Sequence, residues 1–370
     1  MSRLLKTCLF LCLIYWHQAS AQQVFIDQSS NLPIPSVNIY NSKGNLIGFS
    51  NKDGLLELIP ELKNKLSYPL EIYAQHIAYS SKSFQVSSSN AEQQLYLTAR
   101  ANLLEEILVS KPSSAYVCLR GYFRSLETFN LQHKYFAEGI IAYYIPLQKK
   151  GKVKYRLLDY RIFRDSTVVD DYNEKMSAFI MAPHIPQLTY GKLKDRLLKY
   201  EILEKDKQNF QILKKNAVVG SIQSNATAGS LSFYLDGVLP DSVAFKKLFR
   251  LEAKVRHEVF LENYSNTSLA NASAKDLSTV YQLITGSIKR KAEHGHMPYE
   301  VINELYILDR KFLAEPAYKQ IESSLQKSIY YVPKKSQYSH AFWEAIDPAI
   351  IGSLNSGVAK QLGQNLKLVE

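Results

Sequence analysis

The sequence predicts a mainly β, α+β protein: an N-terminal β-sandwich followed by an α+β domain with an antiparallel sheet and helices. Short runs of β-branched and aromatic residues alternate with turn residues through positions 24–110. A period-two alternation of apolar and polar residues runs through Leu251–Leu261, which predicts a half-buried strand. Closing helices are predicted at Tyr318–Ser328 and Ala341–Leu354. Strands followed by helices are typical of an α+β domain.

The first 21 residues have the three parts of a secretory signal peptide. Arg3 and Lys6 give a positive start, Cys8–Trp16 is a short apolar run, and Ala19-Ser20-Ala21 is an A-x-A cleavage site. The apolar run is shorter than the roughly 20 residues of a permanent transmembrane helix. We therefore expect cleavage after Ala21, a mature chain without a transmembrane segment, and a periplasmic or secreted location.

Cysteine content and charge limit the chemistry of the mature chain. Cys8 and Cys12 leave with the signal peptide, so Cys118 is the only remaining cysteine and no intramolecular disulfide can form. We interpret Cys118 as a buried, inert thiol. The formal charge of +11 falls by two, to +9, without Arg3 and Lys6. Export argues against a nucleic-acid partner, so this charge predicts a solvated surface, with attraction to anionic lipid or polysaccharide as the alternative.

Residues 22–111 carry the pattern of a β-sandwich. Glycine follows polar turn residues in Asn41-Ser42-Lys43-Gly44 and in Asn51-Lys52-Asp53-Gly54, where it permits the positive φ of a tight turn. The candidate strands are Val24–Asp27, Ser36–Tyr40, Leu46–Ser50, Leu55–Ile59, Leu70–Ala74, Lys82–Val86, Gln94–Thr98 and Glu106–Ser110.

Four short segments of this unit carry a family resemblance. They are Ile34–Ile39, Gly48–Leu56, His76–Tyr79 and Leu104–Val109. In this order they resemble the carboxypeptidase regulatory-like domain that is common in exported Bacteroidetes proteins, whose closing pattern is Leu, any residue, Glu, an aliphatic residue, any residue, then Val. Ala78 departs from the family, which usually has glycine there, so we expect a different turn at that point. The resemblance implies a seven-stranded, transthyretin-like sandwich without catalytic residues of its own.

The second unit covers residues 112–370, an α+β domain of unknown function. Its boundary is predicted at Lys111–Ser114, where proline and serines interrupt the strand pattern. Helices are predicted at Leu119–Leu131 and at Lys192–Lys215, where leucines lie near helical spacing. Further strands are predicted at Phe136–Ile145, Lys152–Phe163, Leu277–Ile288 and Tyr299–Leu308. Residues 217–308 are therefore expected to form an antiparallel sheet.

The alternating strand that begins at Leu251 should have one buried face and one solvent-exposed face. We expect Leu251, Val255 and Val259 to share a face with Val301 and Leu305. An exposed face of this kind would aggregate, so helices must cover it. The cover either leaves a groove for an apolar ligand or fills the core completely, and the close packing of native interiors favours a filled core.

The histidines and serines do not form a recognisable catalytic motif. None of the eight histidines begins the His-x-x-Glu pattern of a zinc carboxypeptidase. His294-Gly295-His296 lies among charged residues and favours an exposed loop over a metal site. His257 lies on the apolar side of its strand and is interpreted as a core histidine. Ser324–Lys327 matches Ser-x-x-Lys without the motifs that accompany it in enzymes, which favours a surface helix.

Carboxylates and aromatic pairs also favour structural roles. Asp170-Asp171 and Glu105-Glu106 are adjacent pairs whose side chains point apart on a strand and are usually solvated on a loop. Tyr135-Phe136, Tyr143-Tyr144 and Tyr330-Tyr331 could stack on sugars or line a lipid cavity, but core packing is favoured. No phosphate-binding glycine loop is present. We therefore assign no catalytic, cofactor-binding or metal-binding residue from the sequence.

The sequence thus favours a non-catalytic cell-envelope protein. The sandwich is interpreted as a docking module, and the second unit as a domain that binds an envelope protein or an apolar or glycan ligand. The alternative is a periplasmic hydrolase of peptides or glycans whose site is assembled from residues distant in sequence. A pocket that gathers several titratable groups would favour the hydrolase, whereas an apolar cleft or a flat aromatic patch would favour binding.

Overall fold

A computed structural model shows a mainly β protein with antiparallel sheets and short helices. This architecture confirms the predicted fold class. The described residues are 23–88, 92–100, 114–147, 151–176, 184–225, 229–239, 246–248, 251–290, 293–331 and 333–370. The predicted signal peptide, the closing motif Leu104–Val109 and most of the boundary at Lys111–Ser114 lie outside these ranges. Within these ranges, no helix has the length and hydropathy needed to cross a lipid bilayer.

Seven described strands form the N-terminal sandwich, each at a predicted position. They are β1 (Gln23–Asp27), β2 (Asn38–Tyr40), β3 (Leu46–Ser50), β4 (Leu56–Leu58), β5 (Leu70–His76), β6 (Tyr79–Val86) and β7 (Gln93–Leu97). Five of them form an antiparallel sheet in the order β4-β3-β2-β5-β6, and β1 pairs with β7 in parallel. The predicted turn glycines, Gly44 and Gly54, have φ values of +78° and +73°. Helix α1 (Pro60–Lys63) follows β4.

Twelve described strands form one antiparallel sheet in the second unit. They are β8 (Tyr116–Phe129), β9 (Gln132–Pro146), β10 (Lys154–Arg164), β11 (Glu201–Glu204), β12 (Asn209–Lys214), β13 (Ala217–Asn225), β14 (Ser230–Asp236), β15 (Lys246–Leu248), β16 (Leu251–Ser265), β17 (Leu277–Arg290), β18 (Met297–Leu313) and β19 (Lys367–Leu368). Their order is β11-β12-β13-β14-β16-β17-β18-β8-β9-β10-β19, with β15 paired to β16. The helices are α2 (Ser166–Met176), α3 (Leu193–Leu197), α4 (Glu315–Ile321), α5 (Pro348–Ile351) and α6 (Ser356–Gln361).

The sandwich lies against one face of the large sheet. Ile39 and Phe49 of the sandwich belong to the same buried apolar cluster as Leu126, Tyr281 and Ile302 of the sheet. Burial of such side chains is the main favourable term in folding and association. The two units therefore share one apolar core on this face.

The opposite face of the sheet is covered by residues 184–197, which include α3. Leu188 and Leu193 of this segment are buried in a second apolar cluster with Phe123 and Leu305 of the sheet. This segment covers the part of the face around Leu305, whereas Val255, on the same face of the sheet, is 41% exposed.

The sheet face predicted for the residues of β16 beyond Val255 is wrong. A β-bulge between Val255 and His257 inserts an extra residue and reverses the faces of the residues that follow it. The first half of β16, including Val255, shares the face of Val301 and Leu305, whereas Val259 lies on the opposite face, against the sandwich. The sequence pattern did not reveal the bulge because polar and apolar residues continue to alternate through it.

The helix predicted at Leu119–Leu131 is wrong, because these residues lie in β8 and the turn after it. Tyr122 packs in the cluster that contains the sandwich, whereas Phe123 packs in the cluster on the opposite face. A strand buried on both faces does not show the period-two pattern of a half-exposed strand.

The helix predicted at Lys192–Lys215 is mostly wrong as well. Only α3 is helical, and the hairpin of β11 and β12 follows it. Asp206 Oδ1 accepts hydrogen bonds from the backbone N–H groups of Gln208 and Asn209 at 2.8 and 2.9 Å, so a side-chain-stabilised turn replaces the helix. The two closing helices are shorter than predicted, and α5 ends at Ile351, before Gly352, where φ is +64°.

Candidate functional site at the seam between sandwich and sheet

A pocket of about 90 Å³ lies in the seam, which we define as the contact of β3, β4 and α1 of the sandwich with β16–β18 of the sheet. Its lining includes Phe49, Ile59, Arg256, His257, Tyr299 and Glu300. Sites for drug-sized ligands occupy roughly 300–1,000 Å³. The pocket therefore has room for a few water molecules or one small chemical group.

Strand register places the polar seam residues in one row. His257 pairs with Thr285 of β17, and Thr285 pairs with Glu300 of β18. Glu300 in turn pairs with Thr128 of β8. Cross-strand partners project from the same face of a sheet, so all four side chains face the sandwich. The bulge in β16 turns His257 to this face and leaves Arg256 at the extra position.

Glu300 is the buried carboxylate of this row, with 3% of its surface exposed. Thr128 Oγ1 donates a hydrogen bond to Glu300 Oε2, whereas Oε1 has no hydrogen-bond partner among the described residues. Burial raises the pKa of Glu300 to about 7, because the ionised carboxylate loses its hydration and the hydrogen bond from Thr128 only partly compensates. The group therefore titrates near neutral pH.

Arg256 and His257 each have a carboxylate partner. Arg256 Nη1 lies 2.7 Å from Glu61 Oε2, and its Nη2 contacts the other oxygen, so the pair is bidentate and joins α1 to β16. These hydrogen bonds hold the pKa of Glu61 below its usual value. His257 Nδ1 lies 2.5 Å from Asp236 Oδ2, and the histidine ring meets the Phe49 ring edge to face, with centroids 4.5 Å apart.

A second polar row crosses the sheet four residues further along β18. We call Glu304, Arg124, Glu138 and Arg161 the charge ladder, because they are cross-strand partners on β18, β8, β9 and β10. Arg124 Nε lies 3.9 Å from Glu138 Oε2, and its Nη1 lies 4.0 Å from Glu304 Oε2. Arg161 Nε donates to Glu138 Oε1 at 2.5 Å. The opposite charges alternate along the row, and its first three members are buried.

The charge ladder also contacts the residues that cover it. Arg124 Nη1 donates to the carbonyl of Gly352 at 3.2 Å, which ties β8 to the residue after α5. The Tyr306 hydroxyl lies 3.3 Å from Glu304 Oε2, and the guanidinium of Arg100, which follows β7, lies 5.7 Å from the Tyr306 ring. Burial raises the pKa of Glu304, and the charges of Arg124 and Arg100 oppose that rise. The ladder is therefore a buried network between sheet, sandwich and C-terminal segment.

Polar pairs also fix the cover on the opposite face. Arg196 of α3 holds Glu262 of β16 through two contacts, at 2.8 and 3.0 Å, and the Tyr264 hydroxyl donates to the same carboxylate at 2.6 Å. Gln187 N–H donates to Gln282 Oε1 at 2.9 Å, and the Gln282 amide donates back to the Gln187 carbonyl at 2.7 Å. The covering segment is thus held to the sheet by specific hydrogen bonds.

The residues singled out in the sequence do not meet in one site. Cys118 is partly buried, and burial raises the pKa of its thiol. His294 is exposed, and His296 Nε2 lies 3.5 Å from a carboxylate oxygen of Glu252. Ser324 Oγ donates to a backbone carbonyl at 2.8 Å at the exposed end of a 3-10 helix, Glu322–Ser324, where the sequence predicted a surface helix. Among the described residues, no three His, Cys, Asp or Glu side chains converge to hold a metal ion.

The paired residues have separate surroundings. Asp170-Asp171 lies on α2, where Asp171 forms an ion pair with Lys175 at 2.7 Å. Glu105-Glu106 lies outside the described ranges. Tyr135-Phe136 is buried, as packing predicts, whereas Tyr330-Tyr331 is exposed.

Glu300 and the charge ladder were not predicted from the sequence. Each member is a charged residue on a strand, and such residues normally indicate the solvent face. Tyr122 and Tyr306 lie two residues from Arg124 and Glu304, and a large aromatic side chain on the same strand face is the signal that could have indicated burial.

No protein-family model matches the chain, and no curated protein matches it. The resemblance of residues 22–111 to the carboxypeptidase regulatory-like domain therefore stays a prediction. The assignment of a function depends on the contacts of the chain's own residues.

Proposed function

We propose that the chain is a non-catalytic, exported cell-envelope protein in which a carboxypeptidase regulatory-like sandwich is fixed on an α+β unit that binds a partner. The observation that carries the proposal is that three contacts between the two units engage polar or aromatic side chains: Arg256 pairs with Glu61, Tyr281 with Asn38, and the His257 ring with Phe49. An enzyme site keeps such groups available for a substrate, whereas a docking interface pairs them.

Three polar or aromatic contacts support docking of the sandwich. The Tyr281 hydroxyl of β17 donates to Asn38 Oδ1 of β2 at 2.6 Å, in a fully buried position. The bidentate pair of Glu61 and Arg256 and the aromatic contact between Phe49 and His257 lie beside it. A buried hydrogen bond also fixes orientation, because breaking it leaves unsatisfied polar groups. The sandwich is therefore held in one orientation on the sheet.

The pocket volume favours a macromolecular partner over an enclosed apolar ligand. About 90 Å³ is well below the volume that a lipid chain or a drug-sized molecule needs. The polar lining provided by Arg256, His257 and Glu300 is also unsuited to an apolar ligand. We therefore place recognition of the partner on the outer surface and not in this pocket.

A hydrolase is the second candidate, and one observation favours it. Glu300, with a pKa of about 7, and the His257–Asp236 pair line or adjoin the same pocket, which is the kind of grouping that acid–base catalysis uses. The comparison of the parent with Glu300→Gln in an envelope extract, described below, separates a catalytic from a structural role of Glu300.

We expect Glu300→Gln to stabilise the protein at pH 8 by on the order of 3 kcal/mol and to have no effect near pH 4. The folded-state pKa of about 7 lies above the ordinary value of 4.5, so the stability contributed by the protonated group is present at low pH and is lost as the pH rises through 7. Glutamine cannot ionise and escapes that loss. Urea denaturation of the parent and of Glu300→Gln at both pH values measures the difference in stability. The control is Glu57→Gln, which changes an exposed carboxylate of the same pocket. Equal stability of Glu300→Gln and parent at pH 8 would contradict the buried-carboxylate account.

Incubation with an envelope extract tests the proposed function itself. The purified mature chain is expected to retain a partner through affinity purification and to leave peptide and glycan pools unchanged. New peptide or glycan fragments that appear with the parent and not with Glu300→Gln would replace the proposal with a hydrolase.

N-terminal sequencing of the exported protein is expected to begin at Gln22, and an intact Met1 would remove the export claim.

A further inference from the structure

An exposed segment along the sheet edge is rich in tyrosine and lysine and lacks acidic residues. We call residues 327–331 and 333–340 the tyrosine–lysine strip, and no Asp or Glu occurs anywhere in residues 323–343. Its exposed tyrosine and lysine side chains are Lys327, Tyr330, Tyr331, Lys334, Lys335 and Tyr338. The three tyrosines are each between 40% and 45% exposed. The strip therefore presents phenol rings and positive charges to solvent.

The backbone of the strip is fixed to β10. The Tyr155 hydroxyl donates to the Ser328 carbonyl at 2.6 Å, and Arg164 donates to the Pro333 carbonyl at 3.1 Å. Gln337 exchanges two backbone hydrogen bonds with β10, at 2.7 and 2.9 Å. A surface whose backbone is already ordered loses less conformational entropy when it binds.

Two carboxylates beside the strip, Glu322 and Asp159, are already engaged. Glu322 forms ion pairs with Lys154 at 2.6 Å and with Lys319 at 2.8 Å. Asp159 Oδ1 accepts a hydrogen bond from the Ser339 N–H at 3.0 Å. In the part of the chain that the structure describes, no ion pair includes a lysine of the strip. Their charges are thus free to attract an anionic surface.

We propose that the tyrosine–lysine strip binds the surface of an anionic phospholipid bilayer. Tyrosine suits the boundary of a bilayer, because its ring enters the apolar side while its hydroxyl stays with the headgroups. Lysines beside such rings gain from the negative potential of anionic lipids. A protein partner would also accept the tyrosines, but lysine is depleted at protein interfaces, so the combination favours lipid. This inference goes beyond the proposed function, since the strip and the seam are on different elements.

Vesicle flotation tests the proposal with the mature chain. We expect binding to vesicles that contain phosphatidylglycerol, weak binding to pure phosphatidylcholine vesicles, and loss of binding at high salt. Lys334→Glu with Lys335→Glu should lower the apparent affinity about tenfold or more. The matched control is Lys205→Glu with Lys207→Glu, two exposed lysines of the turn between β11 and β12, which should bind like the parent.

A second variant tests the aromatic part of the surface. Tyr330→Ser with Tyr331→Ser should weaken vesicle binding severalfold while the salt dependence is kept, because all charges remain. Equal binding by the Lys334/Lys335 variant and the control, or binding to a soluble anionic polysaccharide without binding to vesicles, would overturn the proposal. Thermal melting of each variant checks that it is folded. Absence of vesicle binding would overturn only the role of the strip, because the function proposed above depends on the seam contacts.

Discussion

Replacing Arg124 with methionine is expected to lower the free energy of unfolding by about 3–5 kcal/mol. Arg124 is 8% exposed and lies between two buried carboxylates, Glu138 and Glu304. Without the guanidinium, Glu304 would lose its ion-pair partner and Glu138 would keep only Arg161, so the folded state would have to keep a poorly compensated buried charge or protonate a carboxylate. Urea denaturation at neutral pH measures the loss, with one urea dependence of the unfolding free energy fitted to both the parent and the variant.

The matched control for this prediction lies on the same strand. Arg120 pairs with Asp309 at 3.5 Å, but the two side chains are 48% and 39% exposed. Solvent screens such a pair, and Arg120→Met should change stability by less than about 1 kcal/mol. Equal losses for Arg124→Met and Arg120→Met would mean that the charge ladder does not stabilise the fold as described.

Replacing Gly357 with alanine is expected to lower stability by about 1–3 kcal/mol and to loosen the sandwich from the C-terminal segment. A Cβ atom on Gly357, in α6, would lie 2.0 Å from the Cα atom of Gly44, in the turn between β2 and β3. Backbone meets backbone there, so no side-chain rotation can relieve the clash, and the two segments must separate. Urea denaturation measures the loss, and limited proteolysis detects greater exposure of the sandwich.

The control for this substitution is Gly295→Ala. A Cβ atom on Gly295 would have no heavy atom within 4 Å apart from its chain neighbours. The same chemical change should therefore leave stability within about 0.5 kcal/mol of the parent. A stable, protease-resistant Gly357→Ala protein would show that the turn and α6 are not in contact as described.

Local patterns predicted the sandwich better than the second unit. The strand at Leu46–Ser50 was predicted at its observed bounds, because turn residues on both sides limit a short run of apolar residues. In β8, both faces are buried, so the sequence lacks the alternation that identifies a strand, and a helix was predicted instead. The prediction for β16 was correct in type but wrong in face, because one bulge reversed Val259.

The candidate site was harder to predict because it depends on strand register between distant residues. His257 was predicted to lie on a buried face, and it does meet Phe49 of the sandwich, but its partner Asp236 belongs to another strand. The neighbours Glu300 and Thr128 are 172 residues apart in sequence. Local patterns carry no information on such pairings, and burial of Glu300 follows only from the position of the sandwich.

The central claim is that the sandwich and the large sheet are docked through one shared core, and native-state hydrogen exchange in increasing urea tests it most directly. The amides of β2 and β17, which Asn38 and Tyr281 connect, are followed together. The account predicts that both groups exchange through the same opening, with equal free energy and equal dependence on urea. Exchange of β2 through a separate opening of lower free energy, while β17 stays protected, would contradict it.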